Sequence, residues 1–335
     1  MRIGFIANLL FQVQHLQIGM FPHTHKEKYK LYIGRFAPTP SGPLHFGSII
    51  TALASYLDAK NNNGQWKVRI DDIDSPRIMK GAESTILKNL ESLGLFWDDK
   101  ISRQSENIKE YKNIVEMLKS ENLTYNCNCS RKKIVISNQS NLSEPIYNNY
   151  CRGMRHPSSS KSAIRLIANY KSTNFIDRAQ GPQLNNANNL IGDIIIKRAD
   201  QVYAYQLAVV IDDQLQSVTN IVRGTDLLNS TIKQHYINNL LNFPDKTYMH
   251  IPIATINNRK LSKGNGDKLN NSNFSLILIE GLKFLRQKIK KDFKEANPRE
   301  ILKYAVENWD STPLQKIKNI ELNSSLRVIV DNAHT

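Results

Sequence analysis

The sequence predicts an α/β fold: a doubly wound parallel sheet of the Rossmann type, interrupted by a cysteine-bearing insertion and followed by a small helical region at the C-terminus. Three observations predict it. Residues 31–36 read as a buried strand that runs through a Pro/Ser/Gly turn into a helix over about 48–60. Residues 66–70 read as a second strand, ending at Asp71-Asp72-Ile73-Asp74, after which 82–93 carries helical spacing. The same rhythm returns at 193–197, 202–205, a helix from Gln206 and a strand-like 221–223. Strands alternating with helices favour parallel pairing, so the two halves are expected in one sheet.

These elements set the expected organisation. Residues 30–96 form the first half of the nucleotide-binding domain, 97–185 an insertion, 186–266 the second half and 267–335 a short helical region. The insertion is marked by a change of character: it holds all three cysteines and the tract Pro157-Ser158-Ser159-Ser160-Lys161-Ser162. Helical patterns at 274–291 and 299–306 make up the C-terminal region. Residues 1–29 read as a non-essential extension, with a start at Met20. Their apolar run over 3–21 lacks a small-residue cleavage site and is diluted by Gln12, Gln14, His15 and Gln17.

The 335 residues are enough to bury a sizeable core, and the 40% hydrophobic and 22% charged content is that of a globular chain. A formal net charge of +15 fits a polyanionic partner such as nucleic acid, although biased coding for lysine gives the same number. Three cysteines make no disulfide framework, which points to a reducing cytoplasm or a metal site. No apolar run reaches the length of a spanning helix, so no membrane partner is expected.

Chemistry concentrates in two stretches. Arg35-Phe36-Ala37-Pro38-Thr39-Pro40-Ser41-Gly42-Pro43-Leu44-His45-Phe46-Gly47-Ser48 joins strand to helix, where unpaired helix amides meet phosphate. His45 stands at the mouth of that anion site, and Gly47 leaves room for a flat base against the backbone. Arg259-Lys260-Leu261-Ser262-Lys263-Gly264-Asn265-Gly266 puts two ammonium groups in a glycine-flanked loop, suited to neutralise charge that grows on departing pyrophosphate. Cys127, Cys129 and Cys151 supply three soft donors where zinc wants four; from the residues alone, free thiols and a metal site both stand. Tyr147, Tyr150 and His156 are the nearby candidates for a fourth. Tyr147 shares a face with Cys151 if that stretch is helical.

At these motifs the chain resembles the class I aminoacyl-tRNA synthetases, with His45-Phe46-Gly47-Ser48 in the place of the HIGH signature and Lys260-Leu261-Ser262-Lys263 in that of KMSKS. It is similar to the glutamyl branch from Tyr32 to Lys263. The resemblance includes Asp71-Asp72-Ile73-Asp74-Ser75-Pro76-Arg77, Tyr205-Gln206-Leu207-Ala208-Val209-Val210-Ile211-Asp212-Asp213 and Ile221-Val222-Arg223-Gly224-Thr225-Asp226. The resemblance implies a glutamate pocket of Arg35, Phe36, Ala37, Pro38, Thr39, Asp71, Tyr205 and Arg223, with Arg35 on the side-chain carboxylate. It implies an ATP site of His45, Gly47, Ser48 and Lys263, and catalysis by His45, Lys260 and Lys263. Asp71 departs from the family, which usually has Glu there. Ser48 departs from the general signature but is usual in the glutamyl-queuosine subgroup, which also uses Cys, Cys, Tyr and Cys as zinc ligands. That implies one structural Zn²⁺ on Cys127, Cys129, Tyr147 and Cys151, and Mg²⁺ with ATP.

About seventy residues follow the lysine loop, too few for the helical anticodon-binding domain of an ordinary glutamyl-tRNA synthetase. The resemblance to the glutamyl-queuosine subgroup implies ATP, L-glutamate and queuosine-bearing tRNA(Asp) as partners, and no protein partner. The expected reaction is glutamyl-adenylate formation followed by transfer to queuosine in the anticodon loop. The competing readings are a truncated enzyme charging tRNA(Glu), a non-catalytic RNA-binding paralogue and a small-molecule nucleotidyltransferase. His15, His23 and His25 are expected to face solvent, Phe96 and Trp97 to pack a core, and Lys288-Ile289-Lys290-Lys291 to form a solvated helix face.

Overall fold

The computed structural model describes residues 31–136, 147–154, 162–168, 174–183, 192–257, 259–261, 268–269, 273–322 and 330–331. The chain enters on β1 (Ile33–Phe36), buried at every position, and crosses the proline turn into α1 (Phe46–Asn61). Buried residues run all round α1, from Ile49 and Ile50 to Leu53, Ala54 and Leu57, so it is covered on several sides. β2 (Gln65–Ile70) returns parallel to β1, with Ile33 opposite Gln65 and Phe36 opposite Val68. After α2 (Ala82–Ser92), β3 (Ser102–Arg103) joins β2 in the same sense.

The middle of the chain divides between two sheets. α3 (Ile108–Ser120) leads to β4 (Thr124–Cys127) and a short α4 (Arg131–Ile136). β5 (Ala163–Leu166), β6 (Phe175–Asp177), β7 (Gly181–Gln183) and β8 (Ile194–Lys197) follow. β4, β5 and β8 form an antiparallel sheet. α5 (Tyr205–Leu215), β9 (Asn220–Gly224), α6 (Leu228–Leu240) and β10 (Thr247–Ile251) complete a second parallel unit, β10 lying parallel to β9. That sheet runs in the order β7-β6-β10-β9.

Two differences from the sequence expectation follow. The strand at 194–197 pairs with β5 and not with the parallel strands, whereas β6, from the stretch read as insertion, pairs with β10. A run of four isoleucine-rich residues fits either partner, and nothing local distinguishes them. The two parallel units also do not share a continuous ladder. They abut through Thr219, whose amide donates to the Ile33 carbonyl at 2.9 Å and whose hydroxyl accepts from the Ile33 amide at 2.9 Å.

Beyond β10, β11 (Ile253–Ile256) pairs antiparallel with β12 (Arg259–Lys260), and β13 (Lys268–Leu269) follows. α7 (Phe274–Phe284) stops well short of residue 291. Arg286 takes φ 55°, and Gln287 N donates back to the Leu282 carbonyl at 2.8 Å, a Schellman-type stop. Lys288 to Lys290 therefore lie outside any helix, contrary to the sequence reading, and Lys291 opens only a 3₁₀ turn. α8 (Pro298–Glu307) starts on a capping box between Asn297 and Glu300 with proline in the first turn. β14 (Asn319–Glu321) lies parallel to β11, and β15 (Val330–Asp331) antiparallel to β13.

The C-terminal helices do not stand apart as an appendage. Ile277, Leu278 and Leu282 of α7 and Ile301, Leu302 and Ala305 of α8 belong to the same buried cluster as α1, β1 and β2. Asp58 of α1, fully buried, binds this region through the Trp309 indole at 2.9 Å and reaches Arg178 on the other side. Trp97 packs against the main core as expected, but Phe96 is 59% exposed. A second core joins α3 and α5 to β5 and β8 through Tyr111, Val115, Leu166, Ile196, Leu207 and Val210. The expected extension, His156 and Lys263 lie outside the described residues. No helix of the described residues is long and apolar enough to cross a membrane.

Candidate active site

A cavity of about 190 Å³ opens where β1, the N-terminus of α1, the ends of β9 and β10 and the lysine loop meet. It lies at the C-terminal ends of the parallel strands, where open α/β sheets bind ligands. His45 caps α1: its backbone is extended and its Nδ1 accepts from Ser48 N at 3.3 Å. With Nδ1 an acceptor, a neutral ring carries its proton on Nε2. Gly47 packs beside that ring; a Cβ there would come within 3.1 Å of its Cε1 and 3.2 Å of its Nδ1. His45, Gly47, Ser48 and Thr51 line one wall, and Lys260 and Leu261 another. Lys260 Nζ lies 2.5 Å from Asp226 Oδ2, so the first lysine of the loop is docked across the cavity mouth onto an acid.

Of the eight residues expected around glutamate, Arg35, Phe36, Ala37, Tyr205 and Arg223 line the cavity. Pro38, Thr39 and Asp71 do not. The Pro38 carbonyl accepts from Asp71 N at 3.0 Å and the Thr39 carbonyl from Ser41 N at 2.8 Å, so this pair shapes the turn. Asp71 is 7% exposed and sits behind the wall, its carboxylate engaged by Arg69 Nε at 2.8 Å.

The two arginines are in different states. Arg35 presents Nε and Nη2 to Asp213 at 3.0 and 3.2 Å, an engaged fork. Arg223, 3% exposed, gives Nε to His250 Nε2 at 3.2 Å and Nη2 to Thr231 and Gln234 at 2.8 and 2.6 Å. Its Nη1 is buried and has no partner among the described residues. A buried guanidinium nitrogen left without an acceptor is costly in the empty pocket and rewards an anion that supplies one.

Behind the wall two guanidiniums face three carboxylates. Arg69, fully buried, contacts Asp71 at 2.8 Å, Asp213 at 2.7 Å and Asp212 at 3.8 Å, and Arg35 adds its fork to Asp213. Burial raises each acid, but Asp213, held by both arginines, is drawn down to about 2. Asp71, sharing Arg69 with two neighbours, is pushed up by burial to about 6. Asp212 is also raised by burial, and accepts from Gln104, Asn107 and Tyr111. Three carboxylates against two guanidiniums leave one formal negative charge in excess, and burial raises Asp71 and Asp212 towards holding a proton.

The three thiols converge: the Sγ atoms of Cys127, Cys129 and Cys151 lie within 4.8 Å of one another. The Tyr147 hydroxyl joins them, 3.4 Å from Cys127 Sγ and 3.8 Å from Cys129 Sγ. Its ring is held from outside by the Arg165 guanidinium, 3.6 Å from the centroid. Tyr147 and Cys151 are brought together by a turn with Asn149 at φ 60°, not by helix. Tyr150 is 51% exposed, with Lys133 over its ring. The donor set suits a soft, four-coordinate metal ion, and the cluster could hold one.

Sequence reasoning missed the acids and polar groups that hold the arginines. Asp213 and Asp226 stand in recognised motifs but carried no assigned role, and Asp177 and His250 drew no attention. Their only signal is an acid or imidazole at a strand end or on a buried helix face, which many folds carry without chemistry.

The chain matches the family model of class I tRNA synthetases (E and Q), catalytic domain, over residues 33–292. It is 41% identical over 291 residues to a glutamyl-Q tRNA(Asp) synthetase of Ectopseudomonas mendocina, covering 86% of this chain and 97% of that protein. A glutamyl-Q tRNA(Asp) synthetase of Pseudomonas aeruginosa is 41% identical over 287 residues, covering 85% and 96%. Among solved structures, a glutamate tRNA ligase from Elizabethkingia meningosepticum superposes with a TM-score of 0.67 at 22% identity, over 88% of this chain and 68% of that one, a likeness of fold.

Proposed function

Because the chain belongs to the class I (E and Q) tRNA synthetases and, within them, to the glutamyl-Q tRNA(Asp) synthetases, we propose that it activates L-glutamate with ATP and transfers it to queuosine in the anticodon loop of tRNA(Asp). The observation that carries this reading is that Arg223, whose buried Nη1 has no partner among the described residues, lines a cavity that begins at a capped helix N-terminus. An acidic group and a phosphate each have a matching donor there.

The α-carboxylate of glutamate attacks the α-phosphorus of ATP; the new acyl–phosphate bond forms as the bridge to the β-phosphate breaks and pyrophosphate leaves. Arg223 takes a glutamate carboxylate on Nη1, and Arg35 and Tyr205 complete the wall. The surplus charge behind Arg35, centred on Asp71, favours the substrate ammonium. His45 Nε2–H and the first amides of α1 meet phosphate oxygens, Gly47 and Ser48 leave room for the nucleotide, and Lys260 and Lys263 neutralise the departing pyrophosphate. Mg²⁺ bound with ATP would supply charge screening at its phosphates. A queuosine hydroxyl then attacks the acyl carbon; the ester bond forms as the acyl–phosphate bond breaks, and AMP departs, its phosphate taking the hydroxyl proton. Cys127, Cys129, Tyr147 and Cys151 would hold one structural Zn²⁺, which would link β4 to the 147–151 turn. The N-terminal residues 1–29 are dispensable, and the enzyme works in the cytoplasm.

Glutamate-dependent ATP–pyrophosphate exchange, followed by labelling of purified tRNAs, tests the reading. Label is expected on queuosine-bearing tRNA(Asp) and absent from tRNA(Asp) lacking queuosine. Label on tRNA(Glu) alone would establish the truncated glutamyl-tRNA synthetase instead, and no exchange either with or without tRNA would leave only a binding protein.

A further inference from the structure

The donors and acceptors around Arg223 continue past it into a buried chain that the reaction above does not use. Arg223 Nε lies 3.2 Å from His250 Nε2, and His250 Nδ1 lies 2.6 Å from Asp177 Oδ2. All three side chains are at most 3% exposed. Asp177 is fixed in turn: its Oδ1 accepts from the amides of Ala179 at 3.0 Å and Gln180 at 2.8 Å, and both its oxygens accept from His250 N at 3.1 Å. Asp177 and His250 come from β6 and β10, the only register pair between those strands being Tyr248 opposite Asp177.

We propose that Asp177 and His250 are positioning residues for substrate carboxylate recognition, fixing the guanidinium of Arg223 so that Nη1 alone is left to bind. The inference rests on the reading of the cavity as a glutamate site. Its logic is one of proton placement. Asp177 accepts only, so the His250 ring proton sits on Nδ1 and Nε2 becomes an acceptor. Nε2 can then receive Arg223 Nε–H, while Thr231 and Gln234 receive Nη2–H. Burial lowers the basicity of His250, so the ring stays neutral and does not repel the guanidinium. A guanidinium held on two of its three nitrogens cannot rotate its plane, and the third is presented in one orientation. Preorganisation of this kind raises affinity for one anion geometry without touching the nucleotide.

The test uses the full chain and glutamate-dependent ATP–pyrophosphate exchange, reading KM for glutamate and KM for ATP separately. His250→Leu removes the acceptor and is expected to raise KM for glutamate roughly tenfold to a hundredfold, with KM for ATP unchanged. His250→Gln restores an acceptor oxygen and is expected to recover most of that loss; Asp177→Asn, which disturbs the tautomer, should fall between them. Because Asp177 also holds backbone amides, circular dichroism and melting temperature are recorded for each variant, and the His250 pair decides if Asp177→Asn does not fold. An unchanged glutamate KM in folded His250→Leu, equal rises in both KM values, or no difference between Leu and Gln overturns the proposal while leaving the glutamate reading in place. A wild-type protein with no glutamate-dependent exchange overturns both.

Discussion

Asp213 sits between Arg35 and Arg69, accepting from Arg35 Nε and Nη2 at 3.0 and 3.2 Å and from Arg69 Nη1 at 2.7 Å. It joins α5 to β1 and β2 and lets two guanidiniums approach each other beneath the cavity floor. Asp213→Asn leaves the shape nearly intact and removes the charge. Breaking a buried ion pair in this way is expected to cost about 3–5 kcal/mol, measured by urea unfolding. A loss below about 1 kcal/mol would mean the arginines are neutralised from elsewhere.

The surplus charge on the Asp71 side gives a pH signature. Burial raises the Asp71 carboxyl from the ordinary 3.8 to about 6. Because this pKa is raised, the stability it contributes is complete below the ordinary value and is lost as pH rises through about 6. Asp213, drawn down to about 2, acts in the opposite sense: its contribution is present above the ordinary value and is lost as pH falls towards 2. For substrate the consequence is distinct. Protonating Asp71 removes the negative charge that favours an ammonium, so KM for glutamate should rise as pH falls through about 6. In Asp71→Asn that limb of the profile should be flat; a wild-type profile already flat between pH 5 and pH 7 refutes the assignment.

Lys260 is docked on Asp226 at 2.5 Å, beside the cavity that His45, Gly47 and Ser48 line. Lys260→Ala should lower the rate of pyrophosphate exchange by about a hundredfold or more, the scale of losing one charged stabiliser of a developing anion. KM for glutamate should stay within about threefold, because the proposed reading gives the carboxylate to Arg223 and not to Lys260. Lys263→Ala is expected to behave alike. A change confined to glutamate KM would move the lysines out of the phosphate site.

Metal analysis of purified protein should find one zinc per chain, with none of the three thiols titrating until a chelator is added. Chelation should lower the melting temperature, since metal binding contributes to folding free energy. Tyr147→Phe tests the phenol donor: zinc affinity should fall about tenfold to a hundredfold while Tyr150→Phe leaves it unchanged. Three freely reactive thiols in fresh protein would contradict the site.

The C-terminal helices share the main core, so they should unfold with it. Ile301→Ala, at a fully buried position on α8, is expected to cost about 2–5 kcal/mol in one cooperative transition that includes α1. Two separated transitions would show that α7 and α8 are an independent unit.

What the sequence by itself determined is local. A strand ending at Phe36, a turn built of prolines and glycine and a helix starting near His45 are dictated by residues within about a dozen positions. The thiols at 127 and 129 and the lysines at 260 and 263 are equally local, but their role comes from the resemblance of the motifs around them and not from spacing alone. The tertiary structure decided what had no local cause. The strands at 175–177, 181–183 and 194–197 are only three or four residues long, too short to specify a partner, and only packing assigned the first two to the sheet of β9 and β10 and the third to the antiparallel sheet. Only the fold set Asp71 behind Arg69, engaged the Arg35 fork with Asp213 and left Arg223 Nη1 without a partner among the described residues. Charges separated by more than a hundred positions were brought within hydrogen-bond distance in a low-dielectric interior. There each carboxylate's state depends on how many guanidiniums it shares, a count that no stretch of sequence contains.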